Sequence, residues 1–360
     1  MKIIISGGGT GGHIFPAIAI ADEIKRQRPD TEILFVGAEG KMEMERVPKA
    51  GYEIVGLPVV GFQRKFTLKN LLFPFKLANS LIKAITVIRK FKPDVVVGVG
   101  GYASGPILEM GMRLGVKGVI QEQNSYAGVT NKILGRKVHK VCVAYEGMDA
   151  FFPKNKIVLT GNPVRADISA VTISPEHAKI DLGFDPNKKL ILLIGGSLGA
   201  KTLNEAMREA TDFLKNRNDV QVFWQCGKIY IDEYSVSETA KLENVKISAF
   251  VDDMKMAYTA ADIVISRAGA LSISELCLVA KPCIFVPSPN VSEDHQTKNA
   301  MALVNKEAAV LVKDIDAKSD LLIKTIEILD NSAKMSQLAQ NIAKLGKPNA
   351  AKEIVAEIFS

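Results

Sequence analysis

Nothing in this 360-residue sequence approaches the roughly twenty consecutive apolar residues that a membrane-spanning helix needs, so any contact with a membrane is expected at its surface. The apolar stretch in MKIIISGGGTGGH is too short for a signal peptide and runs straight into glycines. Cysteine is scarce. Cys142, Cys226, Cys277 and Cys283 form no C-x-x-C pair and no zinc spacing, and they read as reduced core thiols in a cytosolic compartment. No P-loop lysine motif occurs, which argues against an ATPase. Histidine is rare too: there are four, and of these only His13 and His295 fall in motif loops. The Asp252-Asp253 pair has no third ligand spaced nearby, so it reads as a loop or helix cap, and no structural metal is expected. What the sequence does have is excess base, with a net charge of +7. That points to phosphates, a nucleic acid or an acidic membrane surface as partner, or simply to a basic cytoplasmic enzyme.

Short apolar runs alternate with amphipathic stretches. Lys2–Ser6, Ile33–Gly37, Val95–Val99, Leu190–Ile194, Ile263–Ser266 and Cys283–Val286 have the length and β-branched content of strands buried on both faces of a parallel sheet. After the first glycines, Ile14, Ala17, Ile18, Ala21 and Ile24 recur at helical spacing, with Pro16 expected near the first turn. Repeated strand–helix–strand order predicts a doubly wound α/β fold. The series occurs twice, which predicts two Rossmann-like domains, 1–163 and 164–346. Gly161-Asn162-Pro163-Val164-Arg165 reads as a hinge between them. Two such domains would face each other across a cleft, with strand-end loops turned towards it.

Three glycine loops each follow an apolar strand and precede a helical pattern: Gly7–His13, Gly100–Ser104 and Gly195–Ala200. Helix starts carry unpaired N–H groups and partial positive charge, and glycine lets a backbone approach an anion closely. Gly9, Gly100, Gly101, Tyr102 and Ser104 are therefore candidate acceptor or phosphate-loop residues. Gly7, Gly9 and Gly12 also satisfy the dinucleotide pattern G-x-G-x-x-G, but the acid expected to end the second strand is matched only loosely, by Glu39.

GGGTGGHIFPAIAIA, GGYASGP, QEQN (Gln121–Asn124), TGNPVR (Thr160–Arg165), GGSLGA, FVDDM (Phe250–Met254), SRAGALSISEL (Ser266–Leu276) and DHQTKNA (Asp294–Ala300) resemble, in order and spacing, the MurG family. This family comprises the peptidoglycan N-acetylglucosaminyltransferases of GT-B fold, and the resemblance runs essentially the whole length. It implies inverting transfer of GlcNAc from UDP-GlcNAc to the 4-hydroxyl of the muramoyl sugar of lipid I, giving lipid II. It also implies no cofactor, no nucleic-acid partner, and a peripheral place on the cytoplasmic face of the inner membrane. By position, Thr10, Gly11, Gly12 and Asn124 would line the sugar and acceptor side. Arg165 and Ser197 would contact the donor near its diphosphate. Val251 would address uracil through its backbone. Ala270, Leu271, Ser272, Ile273, Ser274 and Glu275 would wrap the donor, with Glu275 on the ribose hydroxyls. Gln296 would hold hydroxyls of the transferred sugar. His295 stands where some members carry a second glutamine. A carboxyl-terminal helix at about 347–360 would complete the first domain.

Inverting transfer needs a base for the acceptor proton and stabilisation of the departing UDP. His13 at a helix start is one candidate base, because the local dipole keeps its ring neutral. Glu122 is its rival. Leu72, Phe73, Phe75 and Lys76, in a stretch mixing cations with large apolar side chains, read either as an interfacial patch for anionic headgroups or as a buried helix with snorkelling lysines. Outside this reading stand a nicotinamide dehydrogenase, a non-catalytic nucleotide-sugar binder, and a related transferase acting on diacylglycerol or a sterol.

Overall fold

The computed structural model of the protein describes residues 1–59, 73–164, 168, 173–196 and 198–360, with the backbone alone for 73–75 and Ser292. The chain forms two compact units, Met1–Val164 with Asn349–Ser360, and Arg165–Pro348. The first contains strands β1 (Lys2–Ser6), β2 (Glu32–Ala38), β3 (Glu53–Leu57), β4 (Val95–Gly98), β5 (Lys117–Glu122), β6 (Lys140–Val143) and β7 (Ile157–Leu159). They pair in parallel in the order β3-β2-β1-β4-β5-β6-β7. The second contains β8 (Lys189–Ile194), β9 (Val220–Gln225), β10 (Val245–Ser248), β11 (Ile263–Ser266), β12 (Cys283–Phe285) and β13 (Val310–Leu311). These are also parallel, in the order β10-β9-β8-β11-β12-β13. Both sheets are doubly wound, as the alternating pattern predicts.

The reason lies in the strands themselves. Ile3, Ile4 and Ile5 of β1 are all fully buried, facing alternate sides of the sheet, so helices must cover both faces. On one face, helix Gly11–Gln27 buries Ile14, Ala17, Ile20, Ala21 and Ile24. Helix Ala350–Phe359 packs beside it through Ile354, Val355 and Ile358 in the same core cluster. Lys117 Nζ ties this last helix down by donating to the carbonyls of Glu357 (3.1 Å) and Ile358 (3.3 Å). In the second unit the only tryptophan, Trp224, is fully buried and donates from Nε1 to Asn204 Oδ1 at 3.0 Å.

Two local expectations change. Pro16 lies in the second turn of its helix, not the first, so its ring nitrogen cannot donate to the Gly12 carbonyl. The Gly161–Pro163 part of the expected hinge is buried, and Asn162 joins the first unit's polar interior: its Nδ2 donates to Gln123 O and its Oδ1 accepts from Gln121 Nε2.

Candidate active site

In a doubly wound sheet the strand order reverses at one point, and loops at the carboxyl ends of the strands open a crevice there. In the first unit that point lies between β1 and β4, so the loops beginning at Gly7 and Val99 lie side by side. They approach closely enough that a Cβ on Gly101 would strike the Gly8 backbone, and Gly100 and Gly101 both hold φ in the left-handed region, at 95° and 84°. Ser104, fully buried at the start of the helix Ser104–Arg113, donates from Oγ to Gly101 O at 2.9 Å and closes that loop. Tyr102 is 61% exposed.

His13 sits in the first turn after Thr10, whose carbonyl accepts from the N–H groups of His13 (3.1 Å) and Ile14 (3.2 Å). Its Nδ1 lies 3.0 Å from Gly8 O and 3.4 Å from Thr10 Oγ1. A carbonyl can only accept, so the first contact is a hydrogen bond when Nδ1 carries the hydrogen, the tautomer that leaves the lone pair of a neutral ring on Nε2. The far edge of the ring, Cδ2 and Nε2, lies 2.8 and 2.9 Å from where a side chain on Gly100 would begin, so glycine there makes room for the imidazole. The other histidines lie elsewhere in the fold. His139 precedes β6, at the opposite end of the sheet, and burial lowers its pKa. His177 interacts with Ser174 in a helix cap.

Glu122 ends β5 and is 2% exposed. Its Oε1 accepts from the backbone N–H of Asn124 (3.1 Å) and from Asn124 Nδ2 (3.3 Å). Its Oε2 accepts from the Gly128 N–H and from Asn131 Nδ2, both at 2.9 Å. Four donors converge on this carboxylate, which orients Asn124 and the chain beyond it. Glu39 forms an ion pair with Lys83 at 2.6 Å.

Sequence reasoning missed the acid that does meet the first loop. Glu43, in the helix Glu43–Lys49 beyond β2, is fully buried. Its Oε2 accepts from the Gly9 N–H and its Oε1 from the Ala38 N–H, each at 2.9 Å. A Cβ on Gly8 would run into this carboxylate, and one on Gly37 into its Cγ. The available signal was a pair of glycines, one in the loop and one inside β2, followed by an acid at the start of the next helix.

In the second unit the reversal falls between β8 and β11. Beneath the loop after β8 lies Gln225, 3% exposed, the last residue of β9. Its Oε1 accepts from the Gly195 N–H, and its Nε2 donates to the carbonyls of Gly196 and Ala249, all at 3.0 Å. After β11, Arg267 donates from Nη1 to Val286 O (3.0 Å), Pro287 O (3.3 Å) and the Asp314 carboxylate. This pins the turn from which helix Ala270–Val279 starts, a helix with no acid in its first turn. The helix carries Leu271, Ser272, Ile273 and Ser274, with Ser274 Oγ donating back to Ala270 O at 3.0 Å. Glu275 accepts from the buried Tyr258 hydroxyl at 3.0 Å. Val251 is buried, and Asp253 caps the next helix by accepting from the Met256 N–H at 2.8 Å. Gln296 Oε1 accepts from the Ser288 N–H at 2.8 Å, which turns its amide hydrogens away from that backbone. Just before it, Glu293 and Asp294 are consecutive non-glycine residues with left-handed φ of 57° and 51°. Such backbone costs about 1–3 kcal/mol each and persists only where the surrounding structure holds it.

Arg165, Ser197 and Leu72 lie outside the described residues, as do the side chains of Phe73 and Phe75. Lys76 is exposed near the start of helix Phe73–Phe91. It lines a groove of about 500 Å³ with Leu77, Tyr102, Pro106, Val129 and Ile133. Among the described residues, no helix is long and apolar enough to cross a membrane, and no cluster of three potential metal ligands occurs.

Residues 3–143 match the N-terminal domain of glycosyltransferase family 28, and residues 190–355 match its C-terminal domain. The chain is 55% identical over 361 aligned positions to the UDP-N-acetylglucosamine–N-acetylmuramyl-(pentapeptide) pyrophosphoryl-undecaprenol N-acetylglucosamine transferase of Bacteroides fragilis, covering all of this chain and 95% of the relative. It is 56% identical to the like-named transferase of Phocaeicola vulgatus, covering all of this chain and 96% of that one. Among solved structures, MurG of Acinetobacter baumannii superposes with a TM-score of 0.81 at 29% identity, over 99% of both chains. A UDP-GlcNAc 2-epimerase of Neisseria meningitidis, 14% identical with a TM-score of 0.70 over the whole of both chains, shares the fold. The chain belongs to glycosyltransferase family 28, within the family of N-acetylglucosamine transferases that these relatives represent.

Proposed function

We propose that this chain transfers N-acetylglucosamine with inversion from UDP-GlcNAc to the 4-hydroxyl of the muramoyl sugar of lipid I, forming lipid II. The observation that carries the reading is a full-length match to transferases of that name in a chain whose first unit holds one histidine at the strand-order reversal. His13 is the base. Gly8 O holds the Nδ1 hydrogen, so Nε2 takes the proton as the acceptor oxygen bonds to the anomeric carbon and the bond to UDP breaks. Glu122 is not the base in this reading, because its carboxylate is committed to Asn124, Gly128 and Asn131.

The second unit holds the donor. Backbone N–H groups after β8 and at the start of helix Ala270–Val279 meet the charge that grows on the diphosphate, assisted by Arg165 and Ser197. Glu275 accepts from the ribose hydroxyls, Val251 addresses uracil through its backbone, and Gln296 offers its amide hydrogens to the sugar. In the first unit, Thr10, Gly11, Gly12 and Asn124 line the sugar and acceptor side. Incubation with UDP-GlcNAc and lipid I should release UDP and yield the lipid-linked disaccharide. Release of UDP without disaccharide, or binding without turnover, would defeat the reading.

The enzyme works at the cytoplasmic face of the inner membrane, docked through the apolar–basic stretch at 72–76 and the groove beside it. Anionic vesicles should co-sediment with the protein. Phe73→Ser combined with Phe75→Ser should abolish this while the fold survives, and unchanged sedimentation would remove the patch from that role.

A further inference from the structure

Gln123 follows Glu122 at the end of β5 and is 1% exposed. Its Nε2 faces oxygens only, donating to Val99 O at 2.8 Å, to Gln121 O at 3.3 Å and to Gln121 Oε1. Reversing the amide would set its oxygen against those acceptors, so its orientation is fixed. The backbone is held as well: Gln123 O accepts from Asn162 Nδ2 at 3.0 Å, and Asn162 Oδ1 accepts from Gln121 Nε2 at 2.9 Å. The amide oxygen of Gln123 points the other way and, among the described residues, has no hydrogen-bond partner. A buried acceptor left unpaired is costly, and folded proteins keep few of them.

Beside that oxygen lies His13. A Cβ on Gly100 would sit 3.7 Å from Gln123 Oε1 and 2.9 Å from His13 Nε2, so both atoms border the one hollow that glycine leaves there. The other ring nitrogen, Nδ1, lies 3.0 Å from Gly8 O. Each nitrogen thus has an acceptor in its neighbourhood. A neutral imidazole carries one N–H and can use one of them, whereas an imidazolium carries two and can use both. We propose that Gln123 is a positioning residue: its Oε1 receives the Nε2 hydrogen of the protonated His13 ring while Gly8 O keeps the hydrogen on Nδ1. During transfer the acceptor O–H bond breaks and the Nε2–H bond forms, as that oxygen bonds to the anomeric carbon and the bond to UDP breaks. The imidazolium then meets an acceptor already in place, and its Nε2 hydrogen turns from the product oxygen to Gln123. Hydrogen bonds to the charged form favour that form. This part in the reaction rests on the assignment of His13 as base; the contact itself does not.

Protein labelled with ¹⁵N-histidine tests the contact directly, with His13→Ala identifying the signal among the four histidines. Gln123→Met removes the acceptor at similar volume. The midpoint of the His13 ring titration should then fall by about half a pH unit or more, roughly a threefold loss of proton affinity. Glu43 beneath Gly9, Glu122 beside Gln123 and Tyr102 in the facing loop also titrate in these surroundings, and all three are unchanged in the variant. In steady-state kinetics, Gln123→Met should lower kcat roughly three- to tenfold with KM for UDP-GlcNAc within about twofold, and it should cost nothing further in His13→Ala. A measurement on the wild type needs no Gln123 variant to fold. About one pH unit below the midpoint, the Nε2–H of His13 should exchange with water roughly tenfold or more slowly than the ring hydrogens of exposed His177. Exchange as fast as that of His177, or a midpoint that Gln123→Met leaves in place, overturns the proposal. So does an equal loss of kcat with and without His13. If the midpoint falls and only His13→Ala loses kcat, the contact stands and its part in the reaction is overturned. A normal kcat in His13→Ala instead overturns the base assignment.

Discussion

The loop after β1 and the loop after β8 occupy the same place in two sheets of the same strand order, yet they rest on different side chains. Each follows a buried apolar strand, opens a helix and relies on glycine. What separates them is one buried side chain delivered from the neighbouring strand or just beyond it, Glu43 in one case and Gln225 in the other. A shared fold provides the crevice, and the residues placed in it give each crevice its own chemistry.

Several experiments would break or sharpen this comparison. The largest effect is expected at His13. His13→Ala should lower kcat roughly 100-fold or more with little change in donor KM, as removal of a general base does. Steady-state kinetics with varied UDP-GlcNAc would read both parameters, and near-normal turnover would mean that the first loop does not carry the chemistry. The mirror result belongs to the second unit. Glu275→Ala removes a charged acceptor worth about 1.5–3 kcal/mol, so donor KM should rise roughly 10- to 100-fold with a smaller change in kcat. An unchanged KM would place the ribose elsewhere.

Glu122→Gln should separate structure from catalysis. An amide cannot satisfy four donors, so stability should drop by about 1–3 kcal/mol in denaturant unfolding, while kcat per folded molecule stays within a few-fold of wild type. A kcat loss comparable to that of His13→Ala would reinstate Glu122 as base. The smallest effect is expected from Tyr258→Phe. It deletes one hydrogen bond to Glu275 and leaves the carboxylate itself in place, so donor KM should rise by about tenfold or less.

The strands were legible because burial on both faces leaves a plain mark, a short continuous apolar run ended by glycine. Ile263–Ser266 has the bounds read from sequence, and β2 and β8 differ only at their ends. The loops were legible for the same reason. Pro16 was misjudged because the helix begins at Gly11, inside the glycine run, where composition suggests loop. The buried state of Gly161–Pro163 was hidden because Gly, Asn and Pro signal a turn whether or not the turn packs against the interior. Glu122 read as a rival base because two of its four donors, Gly128 and Asn131, approach it only after the chain turns back beyond β5.

By itself the sequence determined the class of fold, the doubling of the strand–helix series, the three glycine loops and the histidine placed at the first of them. These depend on local periodicity and on residues adjacent in the chain. Only the tertiary structure decided which carbonyl meets the His13 ring, which acid supports the first loop, and which amide lies beneath the second. Gly9 meets Glu43 across 34 positions and Gly195 meets Gln225 across 30. A hydrogen bond is short-ranged and directional, so its partners are set where the sheet brings distant segments together, and no pattern along the chain records them.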